Sequence, residues 1–238
     1  MPMPRLLAAA CLILAALPVQ AGKAPASGID FGMVKDHRGF QVPHLIRYRN
    51  PEVAREVNRQ IAENLADLGC SDDPAVPDKT LEVSSEVKLA ADDIFSVYIS
   101  ARYFCGAFPE NDDNRSLTFD LKTGKAVSFE ELFRDYTKNR REILRTIFRK
   151  QVEKAERAAA AGKKDNGDTC KGSPQLYSME ALDEGTPNYF FNLTPRGLEV
   201  QPDWPHVIQA CAVRVTVPYA RLRQFAAPGG LLERKARR

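Results

Sequence analysis

Apolar and polar positions change their period several times along the chain, and the changes mark out its elements. Phe40–Tyr48 ("FQVPHLIRY") reads as a strand, with Pro43 favouring an edge position. Asn50-Pro51 then forms a helix start, an N-cap followed by a proline at the first helical position. Val53, Val57, Ile61, Leu65 and Leu68 recur at spacings of three and four, and Gly69 supplies a left-handed stop. Period two takes over in Thr80–Ala90 and Asp93–Cys105. In the second, Phe95, Val97, Ile99 and Ala101 alternate with Ser96, Tyr98, Ser100 and Arg102, and the short connection at Ala91-Asp92 predicts a hairpin. Arg115–Leu121 is a further strand, closed by the tight turn Lys122-Thr123-Gly124-Lys125, with Asp120 placed to bond the turn amides.

Ser128-Phe129-Glu130-Glu131 has the form of a capping box and opens a short helix. A longer helix over about 138–160 buries Ile143, Leu144, Ile147, Phe148 and Val152. Ala158–Gln175 is poor in bulky residues and reads as an exposed excursion. Asn188–Pro202 is strand, turn, strand, and Cys211–Leu222 is a last strand ending at Pro218, followed by a helical finish. The pattern predicts an α+β fold, an antiparallel-rich sheet with packed helices in two subdomains, 40–110 and 111–226. A flexible leader (22–39) precedes them and a basic tail (227–238) follows, read as a frayed, solvated end.

The first residues change the picture of address. A single charge, Arg5, precedes an apolar run from Leu6 to Leu17, and Val19-Gln20-Ala21 offers a signal-peptidase site. The run is short of the roughly 20 apolar residues that span a bilayer. We therefore expect a signal peptide over 1–21, cleavage after Ala21 and a periplasmic protein. The formal charge of +3 falls to +2 without Arg5, too little for a nucleic-acid binder. Four cysteines then remain: Cys70, Cys105, Cys170 and Cys211. An even count in an exported chain predicts disulfides, and of three connectivities Cys70–Cys105 with Cys170–Cys211 closes one loop in each half. Zinc is not expected, because no Cys-x-x-Cys occurs and His37, His44 and His206 are scattered.

Motifs for chemistry are sparse. The sequence has no Gly-x-Ser-x-Gly elbow, no His-Glu-x-x-His and no phosphate loop, and we expect neither catalytic residues nor a cofactor. Asp112-Asp113 and Glu130-Glu131 are the carboxylate pairs to weigh; a solvated loop and a helix N-terminus account for them. From Arg134 to Asp165 eleven basic residues face five acidic ones, so Arg141, Arg145 and Arg149 are candidates for meeting an anionic partner. Among the aromatics Tyr98, Tyr103, Phe108, Tyr189 and Trp204, the last lies in a proline-rich loop and is the first candidate for a binding surface, and Phe108 is a further one. Asn192-Leu193-Thr194 matches a glycosylation sequon inside a strand.

"SLTFDLKTGKAVSFEELF", a basic helix, "YFFNLTPRGLEVQPDWP" and "HVIQACAVRVTVPYARL", in this order, resemble the C-terminal extracytoplasmic domain of unknown function found in lysozyme-sensing anti-sigma factors and beside peptidoglycan deacetylase domains. "VPHLIRYRNPEVAREVNRQIAENL" through "SVYISARYFCGAFPEN" resembles the smaller domain that precedes it there, so the likeness runs over about 40–225. That family usually has Gly-Gly-Ala-His-Pro where this chain has Cys105-Gly106-Ala107-Phe108-Pro109, so any proton chemistry of the histidine is lost. Cys211 also replaces a usual glycine, which points to lineage-specific bridges. The resemblance implies an ectodomain exported as a free protein, without a transmembrane segment in the mature chain. It implies a non-enzymatic recognition role at the bacterial envelope, with a lysozyme-like protein or peptidoglycan as partner. The alternative is an enzyme, or enzyme accessory, acting on cell-wall glycan.

Overall fold

The computed structural model describes residues 28–70, 80–106, 111–162, 174–184 and 188–237. It is an α+β fold with three antiparallel sheets. Strands β1 (Asp30–Lys35) and β2 (Gln41–Arg47) form a two-stranded ribbon. β1 falls within the segment read from sequence as a flexible leader; the alternation of Phe31 and Met33 with Gly32 and Val34 is a strand signal too short to stand out beside its Ala-, Gly- and Lys-rich surroundings. Helix α1 (Pro51–Ala66) starts as expected, with the Glu52 amide donating to Asn50 Oδ1 at 3.0 Å. Its buried stripe of Val53, Val57, Ile61 and Leu65 covers one face of the main sheet. Asn58 ties helix to ribbon: it accepts from the Leu45 amide (2.8 Å) and donates to the Leu45 carbonyl (3.0 Å).

That sheet is a meander of β3 (Thr80–Ala91), β4 (Ile94–Phe104), β5 (Asn111–Asp120) and β6 (Lys125–Ala126). The β3–β4 turn is Asp92-Asp93, one residue later than expected, with φ of 59° and 58°. Two left-handed residues match the twist of a hairpin, and Asp replaces the usual Asn-Gly. Both carboxylates are anchored. Tyr48 Oη and Arg49 Nη2 donate to Asp93, each at 3.0 Å, and Lys235 Nζ lies 2.9 Å from Asp92. β5 starts at Asn111 rather than 115, because Asp112 and Asp113 are drawn into the ladder opposite Arg102 and Ala101. Asp120 accepts from the Lys122 amide at 3.0 Å, as the turn requires.

The remaining chain builds a second core. A 3-10 turn (Glu130–Leu132) leads to α2 (Tyr136–Ile147), α3 (Arg149–Ala160) and α4 (Met179–Asp183). The single helix expected over 138–160 is interrupted at Phe148, whose φ of −97° and ψ of 23° turn the chain while its ring stays in the core. Strands β7 (Asn188–Thr194), β8 (Gly197–Asp203) and β9 (Val215–Val217) form the third sheet, with α5 (His206–Gln209) between the last two. Gly197 admits no side chain, since a Cβ there would sit 2.2 Å from the Val217 carbonyl oxygen. The strand expected from Cys211 is shorter, because Cys211 ends the α5 turn and only Val215–Val217 pairs with β8. Helices α6 (Tyr219–Leu222) and α7 (Leu231–Ala236) close the chain.

Two boundaries move. One core gathers residues from Ile29 to Leu121 and the other mainly residues from Phe129 to Leu232, so β5 belongs to the N-terminal unit and the division falls after Leu121, not near 110. The basic tail is not a solvated end: Leu231 and Leu232 are buried, Arg234 lies 2.8 Å from Asp120, and Lys235 pairs with Asp92. Charge count hid this, because the two apolar residues are few beside four basic ones. Asn192 (2% exposed) locks the units together. Its Nδ2 donates to Ser96 Oγ (3.0 Å) and the Val97 carbonyl (2.8 Å), while its Oδ1 accepts from Ser116 Oγ (3.1 Å). So buried an amide is no glycan acceptor, which disposes of the sequon.

Cys70 and Cys105 form the expected disulfide. Cys211 is also disulfide-bonded, and its partner, like Cys170, lies outside the described residues, as do the signal peptide and Phe108. Disulfides accord with an oxidising compartment. Among the described residues no helix is long and apolar enough to cross a membrane.

Candidate functional site

Strand pairing decides which side chains share a surface, because alternate residues point to opposite faces. The Phe95, Val97, Ile99 and Ala101 face of β4 is buried under α1. On the other face three strands align in polar rows: Glu86, Tyr98 and Ser116; Ser84, Ser100 and Asn114; Glu82, Arg102 and Asp112. β7 covers the inner end of this face through Asn192, and the outer rows are open among the described residues, where they line a concavity of about 370 Å³.

Hydrogen bonds pre-order the rows. Ser84 Oγ and Ser100 Oγ are 2.8 Å apart, Tyr98 Oη donates to Asn114 Oδ1, and Arg102 Nε donates to Asp112 Oδ1 at 3.3 Å. At the inner end β3 and the C-terminal unit add charge. Arg214 lies 4.1 Å from the centroid of the Tyr98 ring and Lys88 Nζ 5.6 Å from it, while Glu199 Oε1 sits 3.4 Å from Lys88 and 3.7 Å from Arg214. The surface thus offers hydroxyls, amides and both signs of charge on a rigid three-stranded floor. It is built to hydrogen-bond a polar ligand laid across the strands, not to bury an apolar one.

A second concavity, about 380 Å³, lies between β5–β6 and β7, with Phe129, Tyr189 and Phe191 among its walls and Glu130 and Glu131 at its rim. Glu131 is committed to the predicted capping box: its Oε2 accepts from the Ser128 amide (2.7 Å), and its own amide donates to Ser128 Oγ (3.3 Å). The other acidic pair is divided by strand geometry. Asp112 points to the polar face with Arg102, and Asp113 points away, toward Arg115 and Tyr103. Burial, then the Asp113 charge, pushes the Tyr103 phenol up. His44 lies far from these groups, between the ribbon and α1, where burial pushes its imidazole down. Among the described residues no group of three His, Cys, Asp or Glu could hold a metal ion.

The expected binding residues that are described, Trp204, Arg141, Arg145 and Arg149, do not form one free surface. Trp204 is core, 6% exposed and edge-on to Tyr177 at 4.9 Å. The loop signal misled, because the Gln209 side chain takes the Trp204 amide (2.6 Å) and folds α5 over the ring. Arg141, Arg145 and Arg149 are exposed on α2 and α3, but each meets an acid of its own subdomain: Asp183 (3.7 Å), Glu156 (2.8 Å) and Glu153 (3.6 Å). The polar side of β4 shows in the alternation of the sequence, where Tyr98 alone is among the residues weighed for binding. Lys88 joins it from β3, and Glu199 and Arg214 join it from the C-terminal unit, where no local spacing marks them.

No family model matches the sequence, and no curated protein matches it. Solved structures do. A crystal structure of a DUF3298 family member from Bacteroides fragilis aligns with a TM-score of 0.53 at 11% identity, over 89% of this chain and 99% of that one. A DUF3298 family protein from Pseudomonas aeruginosa aligns with a TM-score of 0.48 at 14% identity, over 84% and 92%. At such identities the likeness is one of fold.

Proposed function

We propose, starting from a fold similar to that of a DUF3298 family protein, that this chain is an exported, non-enzymatic recognition protein of the bacterial envelope, and that the open polar face of β3–β4–β5 is its binding surface. The observation that carries the reading is the pre-ordered ladder of Ser84, Ser100, Asn114, Arg102 and Asp112, left uncovered among the described residues on a sheet whose other face is core. Peptidoglycan glycan suits it: hydroxyls and acetamido groups can exchange hydrogen bonds with Ser and Asn, and a carboxylate can meet Arg102. The resemblance to ectodomains of lysozyme-sensing anti-sigma factors and to domains beside peptidoglycan deacetylases points to the same compartment and polymer.

Three observations favour binding over turnover. Asp112 and Asp113 face opposite ways, Glu131 is spent on a cap, and Cys105 and Phe108 stand where the resembled family has glycine and histidine. A muramidase partner docking on Trp204 loses its anchor, since that ring is in the core. Calorimetric titration with soluble glycan fragments tests the reading. Arg102→Ala and Ser100→Leu should each weaken binding about tenfold, the equivalent of about 1.4 kcal/mol. Fragments that bind both variants as tightly as the unmodified protein would place the surface elsewhere.

A further inference from the structure

The ribbon leaves one edge unmanaged. The Asp36 amide donates to the Phe40 carbonyl at 2.9 Å, which extends the ladder in which Val34 faces Val42 and Gly32 faces His44. Hydrogen-bonded and non-bonded pairs alternate along an antiparallel ladder, so Gly32, Val34 and Asp36 spend their backbone groups on β2. Phe31, Met33 and Lys35 must then turn their amides and carbonyls outward. Their partners on β2 confirm the parity. Pro43, opposite Met33, has no amide to offer, and the amide and carbonyl of Leu45, opposite Phe31, both go to Asn58, away from β1. β2's outer edge is thus closed by a proline and an asparagine. β1's outer edge pairs with nothing among the described residues, and Met33 and Val34 stand exposed beside it, with Phe31 partly exposed and its ring 5.9 Å from that of the buried Phe95.

We infer that β1 is a dimerisation strand, which pairs antiparallel with β1 of a second copy of this chain about a two-fold axis at Met33. Parity restricts the register, because outward-turned residues must oppose outward-turned ones to form the hydrogen-bonded pairs. Centred on Met33, the pairing sets Met33 opposite Met33 and Phe31 opposite Lys35 of the second copy, so all three outward residues on each strand find partners. Side chains agree with this. The two Met33 thioethers meet at the axis, flanked by each Phe31 ring with the Lys35 stem and ammonium of the other copy beside it. Asp36, which falls near Asp30 of the other copy, is already paired with Arg38. The result is a continuous sheet β2–β1–β1–β2. One short seam buries less surface than a permanent dimer needs, so the association is concentration-dependent.

Sedimentation velocity on the full chain over a concentration series, with hydrogen exchange at both ends of the series, tests this. The expected result is a rise from monomer to dimer mass, with the amides of Phe31, Met33 and Lys35 gaining protection as mass rises while Gly32 and Val34 are protected throughout. Met33→Pro removes an outward amide without touching the β1–β2 ladder, and Met33→Lys sets two charges face to face at the axis. Both should remain monomeric with the unmodified melting temperature, and Met33→Leu should dimerise. A monomer at every concentration, or a dimer that survives Met33→Lys with the outward amides still exchanging freely, would overturn the inference.

Discussion

Asn192→Ala tests how the two cores are joined. In the native chain this amide makes three hydrogen bonds from β7 to β4 and β5, at 2.8 to 3.1 Å, in a site 2% exposed. Each bond contributes about 1 kcal/mol net, and truncation takes from the half-buried Ser116 hydroxyl its acceptor. Ser96 is partly protected, since Thr118 Oγ1 (2.8 Å) and the Leu193 amide (3.2 Å) still reach it. The expected loss is about 3 to 4 kcal/mol, or about 10 °C in melting temperature for a chain of this size. Asn192→Asp should cost more, because an ionised carboxylate would face the Val97 carbonyl. Urea denaturation reads the loss through two probes, the fluorescence of Trp204, the one tryptophan of the chain, and amide exchange in α1. The native protein should show coincident transitions. A loss below about 1 kcal/mol, with both probes still coincident, would refute the idea that this amide joins the cores.

Three further outcomes follow from the same contacts. Cys70→Ser with Cys105→Ser opens a loop closed over a separation of 35 residues and should cost about 4 kcal/mol on the chain-entropy account, read by denaturation with and without reductant. Leu232→Ala should cost about 3 kcal/mol by chemical denaturation, because that side chain is fully buried; a solvated tail would lose nothing. Burial pushes Tyr136 and Tyr177 each up to about 12. Unfolded tyrosine titrates near pH 10, so the stability they confer is whole below about pH 10 and is lost as pH rises toward about 12. Tyrosinate absorbance should therefore appear together with unfolding, and tyrosinate formed in a still-folded protein would contradict this.

Much of the framework was legible because it rests on local rules. The Asn50-Pro51 start, the stripe of α1, the β4 alternation, the Gly124 turn and the Ser128–Glu131 box each depend on a few neighbouring residues, and each is present. What was misread depends on partners far away in sequence. β1 is a strand because β2 pairs with it, and α7 is ordered because β-turn aspartates and a core pocket receive it. Trp204 is core because Tyr177 and Gln209 enclose it, although its own neighbours spell a loop. The candidate surface was half legible: the polar side of β4 is visible in the alternation, but its assembly with Ser84, Asp112 and Arg214 needs the registers of β3, β5 and β8–β9.

Binding without turnover is most directly tested on intact peptidoglycan sacculi incubated with the purified protein. Co-sedimentation and the release of soluble fragments or acetate are followed in one experiment. Saturable co-sedimentation is expected, reduced in Arg102→Ala, with no release above a protein-free control. Release of fragments or acetate that a single carboxylate substitution abolishes would contradict it and make the protein an enzyme of the cell wall.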